Sequence, residues 1–370
     1  MVSELLSVRA RGSRRVLVYR LGERVGFGQC CHRLKEKLPR SRSDNTMARL
    51  QQPIRRVLSI DGGGIRGIIP ALVIAHLERK TGKPACELFD MVVGTSTGGI
   101  LALGLALQDE KGQPLLAAKR MLALYERHGA EIFEQSLWRK LRTVGGIFEE
   151  AYSHKSLEAV LEHYFVDRKL SDCGVPAMVT SYDIEHRRTV FMKTWHPEHA
   201  ALQCSDAARA TSAAPTYFEP ANLHWADESR TLIDGGVYMN SPAVSAYAEA
   251  RKLFPGEPIA MLSLGTGELT RPIPYENART WGSALWVMSL LDCMFDGVSK
   301  AADHQMRLFL GEQYLRLQTP LNYASDDMDD ASRGNIRNLK QTARELIKRE
   351  EDALSNFMRL THRDPDSNAE

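Results

Sequence analysis

Ser96 lies in a pattern of small residues that could make it a nucleophile. Residues 89–107, FDMVVGTSTGGILALGLAL, place G-x-S-x-G between an apolar strand pattern and an apolar helix pattern. A sharp strand-to-helix turn of this kind lifts a serine hydroxyl above the sheet edge, and Gly94 and Gly98 would let the neighbouring backbones pass in contact. The N-terminus of the following helix favours an alkoxide or oxyanion there. The pattern predicts acyl transfer through Ser96, with a glycine-rich helix start selected for packing as the alternative.

A second glycine turn could supply the hydrogen-bond donors for this chemistry. Residues 59–72, SIDGGGIRGIIPAL, contain G-x-G-x-x-G between a strand pattern and a helix pattern, which also fits a dinucleotide-binding turn. The next strand, however, runs directly into the serine turn instead of ending on a ribose-binding acid, and Arg66 lies inside the turn. We therefore interpret the turn as an oxyanion hole, in which Gly62 opens the motif and the N–H groups of Gly63 and Gly64 face an ester carbonyl oxygen. Arg66 could hold the turn or meet a phosphate.

An aspartate is the strongest candidate for the base. None of the histidines that we considered lies in a glycine turn at a strand end, whereas in residues 232–242, LIDGGVYMNSP, Asp234 ends an apolar strand pattern and precedes Gly235 and Gly236. We expect its carboxylate at the same carboxyl-end edge of the sheet as Ser96. An aspartate that only caps a turn is the alternative.

These three features in this order resemble the patatin-like phospholipase family. DGGGIRG is followed about 30 residues later by GTSTGG and then by a distant DGG, and DAARATSAAPTYFEP at 206–220 is similar to the family's segment before its catalytic aspartate. The resemblance covers residues 54–270. It implies a dyad without histidine, in which Ser96 is the nucleophile and Asp234 the base. It also implies that the oxyanion hole is formed or braced by Gly62, Gly63, Gly64 and Arg66.

The activity that this resemblance implies is hydrolysis of fatty-acyl esters through an acyl-enzyme. We expect a phospholipid or lysophospholipid substrate, peripheral contact with a membrane surface, no cofactor or metal, and no nucleic-acid partner. The apolar segment 285–295, LWVMSLLDCMF, could line the acyl channel or be a buried core helix. A nucleotide-binding module and a catalytically silent scaffold of the same fold are the other hypotheses, and gating by a cyclic dinucleotide is a further one.

The order of apolar patterns predicts a three-layer α/β fold with a mostly parallel central sheet flanked by helices. Short strand patterns at 56–60 and 89–94 enclose a helix pattern at 68–82, which Gly82 closes. Strands separated by helical lengths imply a mostly parallel sheet covered on both faces. Further along, we expect two strands at 175–184 and 188–195, joined by a polar turn.

Helix signals are weaker in the remaining segments. We expect an irregular surface stretch at 134–155 and then an amphipathic helix with Ser156 as its N-cap. One packed C-terminal helix is predicted from apolar residues at positions 336, 339, 343, 346, 347, 354 and 357.

Charge is distributed unevenly along the chain. The formal net charge is +2, but residues 1–56 carry 14 Lys and Arg against 4 Asp and Glu, so a basic segment precedes an acidic body. A flexible arm, or a chain start assigned too early before Met47, is one interpretation; an arm that attracts anionic lipid or nucleic acid is the other. We expect four regions: a basic arm 1–53, a catalytic domain 54–270, a C-terminal helical part 271–360 packed on the same domain, and a disordered tail 361–370.

The cysteines favour a reducing compartment. The six cysteines include no C-x-x-C pair, which is typical of reduced thiols in a cytoplasmic chain rather than of disulfides or metal ligands. No apolar run reaches membrane-spanning length, so we expect a cytoplasmic protein with at most peripheral membrane contact.

Overall fold

The structure is a computed structural model of the 370-residue chain. It describes residues 54–133 and 154–361. The predicted basic arm, nearly all of the predicted irregular stretch 134–155 and the predicted tail beyond residue 361 lie outside the described residues.

The described strands form one eight-stranded sheet. Its order is β5-β6-β3-β2-β1-β7-β8, and β4 pairs additionally with β3. The pairs β1–β2, β1–β7, β2–β3 and β7–β8 are parallel, whereas β3–β4, β3–β6 and β5–β6 are antiparallel. The strands are β1 Arg55–Ile60, β2 Met91–Thr95, β3 Ala177–Asp183, β4 Arg188–Lys193, β5 Ala221–Trp225, β6 Glu228–Asp234, β7 Ile259–Leu264 and β8 Tyr314–Leu317.

Helices cover both faces of this sheet. They are α1 Ile68–Thr81, α2 Ala85–Leu88, α3 Thr97–Ala106, α4 Ala118–Phe133, α5 His154–Phe165, α6 Cys204–Thr211, α7 Gly236–Met239, α8 Ala243–Leu253, α9 Tyr275–Ala278, α10 Ser283–Leu310, α11 Arg333–Arg349 and α12 Glu351–Thr361. Single 3₁₀ turns occupy Gly64–Gly67, Leu170–Asp172, Pro197–His199 and Gly311–Gln313.

Two apolar clusters show the three-layer arrangement. Leu58 belongs to a cluster with α1, α3, α4 and α11, whereas its neighbour Val57 belongs to a second cluster with α8 and α10. Because successive strand residues point to opposite faces, the two clusters lie on the two sides of the sheet. Every residue of β2 is buried, as a central parallel strand requires. The predicted α/β class with a mostly parallel sheet is confirmed.

Several local predictions are confirmed and others are wrong. α1 ends at Gly82, whose left-handed φ of 69° and N–H bond to the Glu78 carbonyl close the helix as predicted. Ser156 is not an N-cap, because α5 already begins at His154. The expected single C-terminal helix is divided at Glu350 into α11 and α12, although the apolar spacing correctly predicted its buried face. Strands β5 and β8 were not predicted.

The described helices include none that is both long and apolar enough to cross a bilayer.

Candidate active site

Ser96 is the residue on which strand β2 turns into helix α3. β2 ends at Thr95 and α3 begins at Thr97, so a single residue makes the turn, with φ 56° and ψ −127°. This conformation is rare for a residue with a side chain and costs on the order of 1–3 kcal/mol. A Cβ at Gly94 would lie 2.0 Å from the Gly98 carbonyl oxygen. The two glycines therefore let the strand and the helix approach closely enough for the turn.

Hydrogen bonds between uncharged groups hold the backbone of Ser96 in its strained conformation. The Ser96 N–H donates to the Thr211 hydroxyl at 2.9 Å, and that hydroxyl donates to the Thr180 carbonyl at 2.6 Å. The Thr95 hydroxyl donates to the Met239 carbonyl and shares a 2.8 Å bond with the Thr180 hydroxyl. Helix α6, which ends at Thr211, thus fixes the backbone of the turn.

Asp234 reaches Ser96 by a route that the strand pattern did not predict. β4 occupies one edge of β3 along Met178–Asp183, so β2 and β6 share the other edge. There Thr180 lies opposite Thr95, and the next residue, Ser181, lies opposite Asp234. β2 and β6 run in opposite directions and meet end to end. The two predicted residues are brought together, but by an antiparallel strand rather than by parallel strands with a common carboxyl edge.

The Asp234 carboxylate is buried, and in the part of the chain that the structure describes it has no cationic partner. Its residue is 2% exposed, and the carboxylate accepts the Gly236 N–H at 2.7 Å and a hydrogen bond from the Ser96 hydroxyl. Burial raises the pKa of Asp234 to about 7, although these two hydrogen bonds lower it. No cation within residues 54–133 and 154–361 contributes to this shift. The group can therefore change protonation near neutral pH.

The glycine turn after β1 is tied to its neighbours at its first residue. The Gly62 N–H donates to the Asn240 carbonyl at 3.0 Å, and the Gly62 carbonyl accepts the Thr266 hydroxyl at 2.6 Å. A Cβ at Gly63 would lie 2.3 Å from the Thr266 hydroxyl oxygen. The backbone N–H and carbonyl of Gly62 thus both form hydrogen bonds within the protein, so this residue holds the turn in place.

The next two N–H groups are available to a ligand. The Arg66 N–H and Nε both donate to the Gly63 carbonyl, at 3.1 and 3.2 Å, and the Arg66 guanidinium also donates to the Asp326 carbonyl at 3.3 Å. Arg66 thereby holds the carbonyl side of the turn. Across the described residues, the N–H groups of Gly63 and Gly64 have no acceptor.

Both glycine turns border one apolar cavity. Ser96, Asp234, Gly63 and Gly64 line it together with Asn240 and a set of mostly apolar residues. No histidine is among the described residues that line it. The apolar lining includes Ile100, Leu124, Tyr125, Ile132, Phe133, Leu157, Ala214, Tyr217, Phe218, Phe295 and Met328.

The structure places the remaining predicted residues around these groups. Gly235 packs against Thr180, where a Cβ would lie 2.1 Å from its hydroxyl oxygen, and Gly236 supplies the N–H bond to Asp234. From the segment 285–295 the structure brings Phe295 to the cavity.

Sequence reasoning missed three polar residues that position the site. Thr211, Thr266 and Asn240 contact the serine turn or the first glycine of the other turn. Thr211 lies within the segment 206–220, which carries part of the family resemblance. Membership in that segment was the one sequence feature that could have identified any of the three. The described residues contain no group of three or more His, Cys, Asp or Glu that could hold a metal ion.

Comparisons with known proteins assign the chain to a family. The model of the patatin-like phospholipase family matches residues 58–247. Patatin-04/09 of Solanum tuberosum and patatin-17 of Solanum cardiophyllum are each 30% identical over 364 residues, which cover 86% of this chain and 92% of each relative. Human GIVD cytosolic phospholipase A2 aligns structurally over 84% of this chain and 60% of its own, with a TM-score of 0.44 and 13% identity.

The family match spans the strands and helices that carry both glycine turns and the Asp234 strand, and the relatives match over most of their length. The chain is therefore a serine hydrolase that cleaves lipid acyl esters, and it belongs to the patatin-like phospholipase family.

Proposed function

We propose that this chain releases fatty acids from phospholipids or lysophospholipids, with Ser96 as the nucleophile and Asp234 as its base. One observation carries the proposal. The Ser96 hydroxyl is hydrogen-bonded to a buried carboxylate whose pKa is raised to about 7 by burial, and this pair borders an apolar cavity. A nucleophile, a base matched to neutral pH and a site for an acyl chain are thus combined.

In the first step, Asp234 takes the hydroxyl proton while the Ser96 oxygen attacks the ester carbonyl carbon. The oxyanion of the tetrahedral intermediate accepts hydrogen bonds from the N–H groups of Gly63 and Gly64, which lack other acceptors in the described chain. When the intermediate collapses, the C–O bond to the alcohol breaks and Asp234 returns the proton to that oxygen. The acyl group remains on Ser96.

In the second step, water hydrolyses the acyl-enzyme. Asp234 takes a proton from water, whose oxygen attacks the acyl carbon, and the same N–H groups bind the second oxyanion. Collapse breaks the bond to Ser96, and the serine oxygen regains a proton from Asp234. The fatty acid leaves, and the dyad returns to its starting state.

Two features of the turn compensate for the weakness of a carboxylate base. Helix α3 begins directly after Ser96, so its N-terminal N–H groups favour negative charge on the serine oxygen. The strained φ of 56° projects the side chain away from the helix and into the cavity that Asp234 also lines. The alkoxide is thus stabilised where it forms, without a histidine.

The domain organisation follows the same proposal. We assign residues 54–270 to the catalytic domain and residues 271–360 to a C-terminal part packed on it. β8 pairs with β7 along the sheet, and Phe295 of α10 lines the cavity. Both contacts support one domain rather than an independent C-terminal module.

The test is fatty-acid release from mixed phospholipid vesicles, with a chelator present throughout. We expect activity in the parent chain and its loss in both Ser96→Ala and Asp234→Asn, whereas the exposed substitution Asp352→Asn should keep it. A parent as silent as its variants contradicts the proposed activity. Activity that survives Ser96→Ala shows that the nucleophile is another residue.

A further inference from the structure

Two of the described cysteines meet as a pair of thiols. Cys173 and Cys204 are 31 positions apart in the chain, and the Cys204 thiol donates a hydrogen bond to the Cys173 sulfur. Cys204 is fully buried in the apolar cluster that includes Leu58, whereas Cys173 is partly exposed and packs against that cluster. The proposed catalytic steps use neither thiol, so the pair is a second group of reactive side chains.

Backbone hydrogen bonds bring the segments of the two cysteines together. The Cys204 N–H donates to the Arg168 carbonyl at 2.7 Å, which joins the two segments. The 3₁₀ turn Leu170–Asp172 then folds the chain back, and the Cys173 N–H closes that turn by donating to the Leu170 carbonyl at 3.3 Å. The meeting of the two sulfur atoms is therefore supported by the backbone and does not depend on the thiols alone.

The pair lies at the far ends of the two helices that hold the serine turn. α6 begins at Cys204 and ends at Thr211, whose hydroxyl accepts a hydrogen bond from the Ser96 N–H. α3 begins directly after Ser96, and the residue that follows its last turn, Leu107, forms an antiparallel bridge with Cys173. A covalent bond between the two sulfur atoms would thus join α6 to the segment on which α3 ends.

The surroundings of the two thiols set the order in which they react. The hydrogen bond to Cys173 and burial both raise the pKa of the Cys204 thiol, so Cys204 stays protonated. A thiolate rather than a thiol is the nucleophile toward oxidants, and it must also be reached from solvent. Cys173 is the partly exposed member of the pair, so it is the thiol that meets an oxidant first.

We propose that Cys173 and Cys204 are a redox-active pair, which hydrogen peroxide converts into an intramolecular disulfide that restrains α6. The disulfides that do form in a reducing compartment are usually transient and sense the redox state. The inference is independent of the proposed lipid hydrolysis, because neither thiol touches the cavity that contains Ser96.

The oxidation proceeds in two steps. The Cys173 thiolate attacks one oxygen of hydrogen peroxide, the O–O bond breaks, and a sulfenic acid and hydroxide form. The Cys204 sulfur then attacks the sulfenic sulfur and the S–S bond forms. The S–O bond breaks, and the departing oxygen takes the Cys204 proton and leaves as water. The two thiols thereby lose two electrons to the peroxide, and a thiol reductant reverses the reaction.

Peptide mapping of the full chain tests the disulfide. The protein is treated with an equimolar amount of hydrogen peroxide, remaining thiols are alkylated, and trypsin separates residues 170–187 from residues 194–209. We expect these two peptides to be joined with the loss of two hydrogens, to separate again with dithiothreitol, and to come from a single chain on a non-reducing denaturing gel. Peptides that stay separate, or that are joined only between two chains, overturn the proposal.

Matched variants distinguish the pair from general oxidation. Cys204→Ala removes the thiol that resolves the sulfenic acid, so a dimedone adduct should accumulate at Cys173. Cys293→Ala removes an exposed cysteine and should leave the joined peptides as abundant as in the parent. A dimedone adduct at Cys173 that is equally abundant in the parent and in Cys204→Ala contradicts the role of Cys204.

Hydrogen exchange tests the restraint on α6. The amide groups of Cys204–Thr211 should exchange several-fold more slowly in the oxidised parent than in the reduced parent, because the bond opposes local opening of the helix. α8, which packs on the other face of the sheet, is the internal control and should not change. A disulfide that forms without slowing exchange in α6 contradicts the restraint. Neither measurement uses lipid, so failure here is separate from failure of the proposed activity.

Discussion

Asp61 and Asp234 look alike in the sequence and differ in the structure. Each lies at the end of a strand and precedes two glycines, and the two residues are 1% and 2% exposed. The Asp61 carboxylate binds the Arg316 guanidinium through both oxygens, at 3.0 and 2.6 Å. The Asp234 carboxylate has the Ser96 hydroxyl and the Gly236 N–H instead.

The partner decides what each buried carboxylate can do. Burial lowers the pKa of Arg316, but the charge and hydrogen bonds of Asp61 outweigh burial, so the pKa of Arg316 is raised overall. That ion pair joins the end of β1 to β8. No cation of the described residues offsets the cost of burying Asp234, and its pKa is raised to about 7. A buried aspartate thus becomes a structural clamp or a candidate base according to whether an arginine reaches it.

The same substitution should therefore have opposite effects at the two positions. Asp234→Asn removes the proposed base and should lower kcat by on the order of 10³-fold, while the protein stays folded. Fatty-acid release and circular dichroism are the measurements. A variant with more than a tenth of the parent activity would show that Asp234 is not the base.

Asp61→Asn should instead unfold the protein more easily. It leaves the Arg316 guanidinium buried without its charge partner, which costs about 3–5 kcal/mol of unfolding free energy, measured by urea denaturation. The double variant Asp61→Asn with Arg316→Met should recover much of this loss, because no unpaired charge remains. Equal destabilisation by the single and double variants would argue against the clamp.

Asp234→Asn should stabilise the protein in a pH-dependent manner. The folded pKa of Asp234, about 7, lies above the ordinary value of 3.8 for an aspartate. The stability contributed by the neutral carboxyl is therefore complete below pH 3.8 and is lost as pH rises through 7. The Asn variant does not lose this stability, because its side chain does not ionise. Its free energy of unfolding should exceed that of the parent by near zero at pH 4 and by at most about 4 kcal/mol at pH 8. Urea midpoints across this range measure it, with Asp352→Asn as an exposed control. A difference in unfolding free energy that does not change with pH would contradict the raised pKa of Asp234.

The parent activity should follow the ionised fraction of Asp234. Because the proposed base must be deprotonated, kcat/KM should fall as pH decreases through about 7, approaching about tenfold per pH unit below it. A soluble short-chain ester is the suitable substrate, since vesicle binding then has no influence. A flat profile between pH 5 and 8 would exclude Asp234 as the titrating base.

A smaller effect is expected from the neutral bonds beneath Ser96. Thr211→Val removes the acceptor of the Ser96 N–H, and a loss of about tenfold in kcat with little change in KM is expected if the turn relaxes. Thr211→Ser retains the hydroxyl and should retain most of the activity. Full activity in Thr211→Val would show that the surrounding strand and helix are enough to hold the turn.

The sequence predicted the parts of the fold that depend on local pattern. The alternation of strands and helices before residue 107 follows from apolar periodicity, and the end of α1 follows from Gly82. It also predicted that Ser96 and Asp234 would meet. It did not predict that β6 runs antiparallel to β3, because an apolar strand pattern reads the same in both directions.

Partners from distant segments could not be predicted in the same way. Arg316 lies 255 positions after Asp61, and Thr211 lies 115 positions after Ser96. Neither residue stands in a pattern that names its partner, since a hydrogen bond between remote segments depends on how strands and helices pack. The missed strand β8 is only four residues long, too short for periodicity to identify.

The sequence by itself determined which residues could do chemistry: a serine in a glycine turn, a glycine-rich loop and two D-G-G tripeptides. These features depend on small side chains and short spacing, which local sequence specifies. The tertiary structure alone decided which aspartate received a cation. Arg316 of β8 reaches Asp61, whereas the end-to-end meeting of β2 and β6 leaves Asp234 with a hydroxyl. The pKa of a buried carboxyl is set by its neighbours in space, and those neighbours come from segments far apart in the chain.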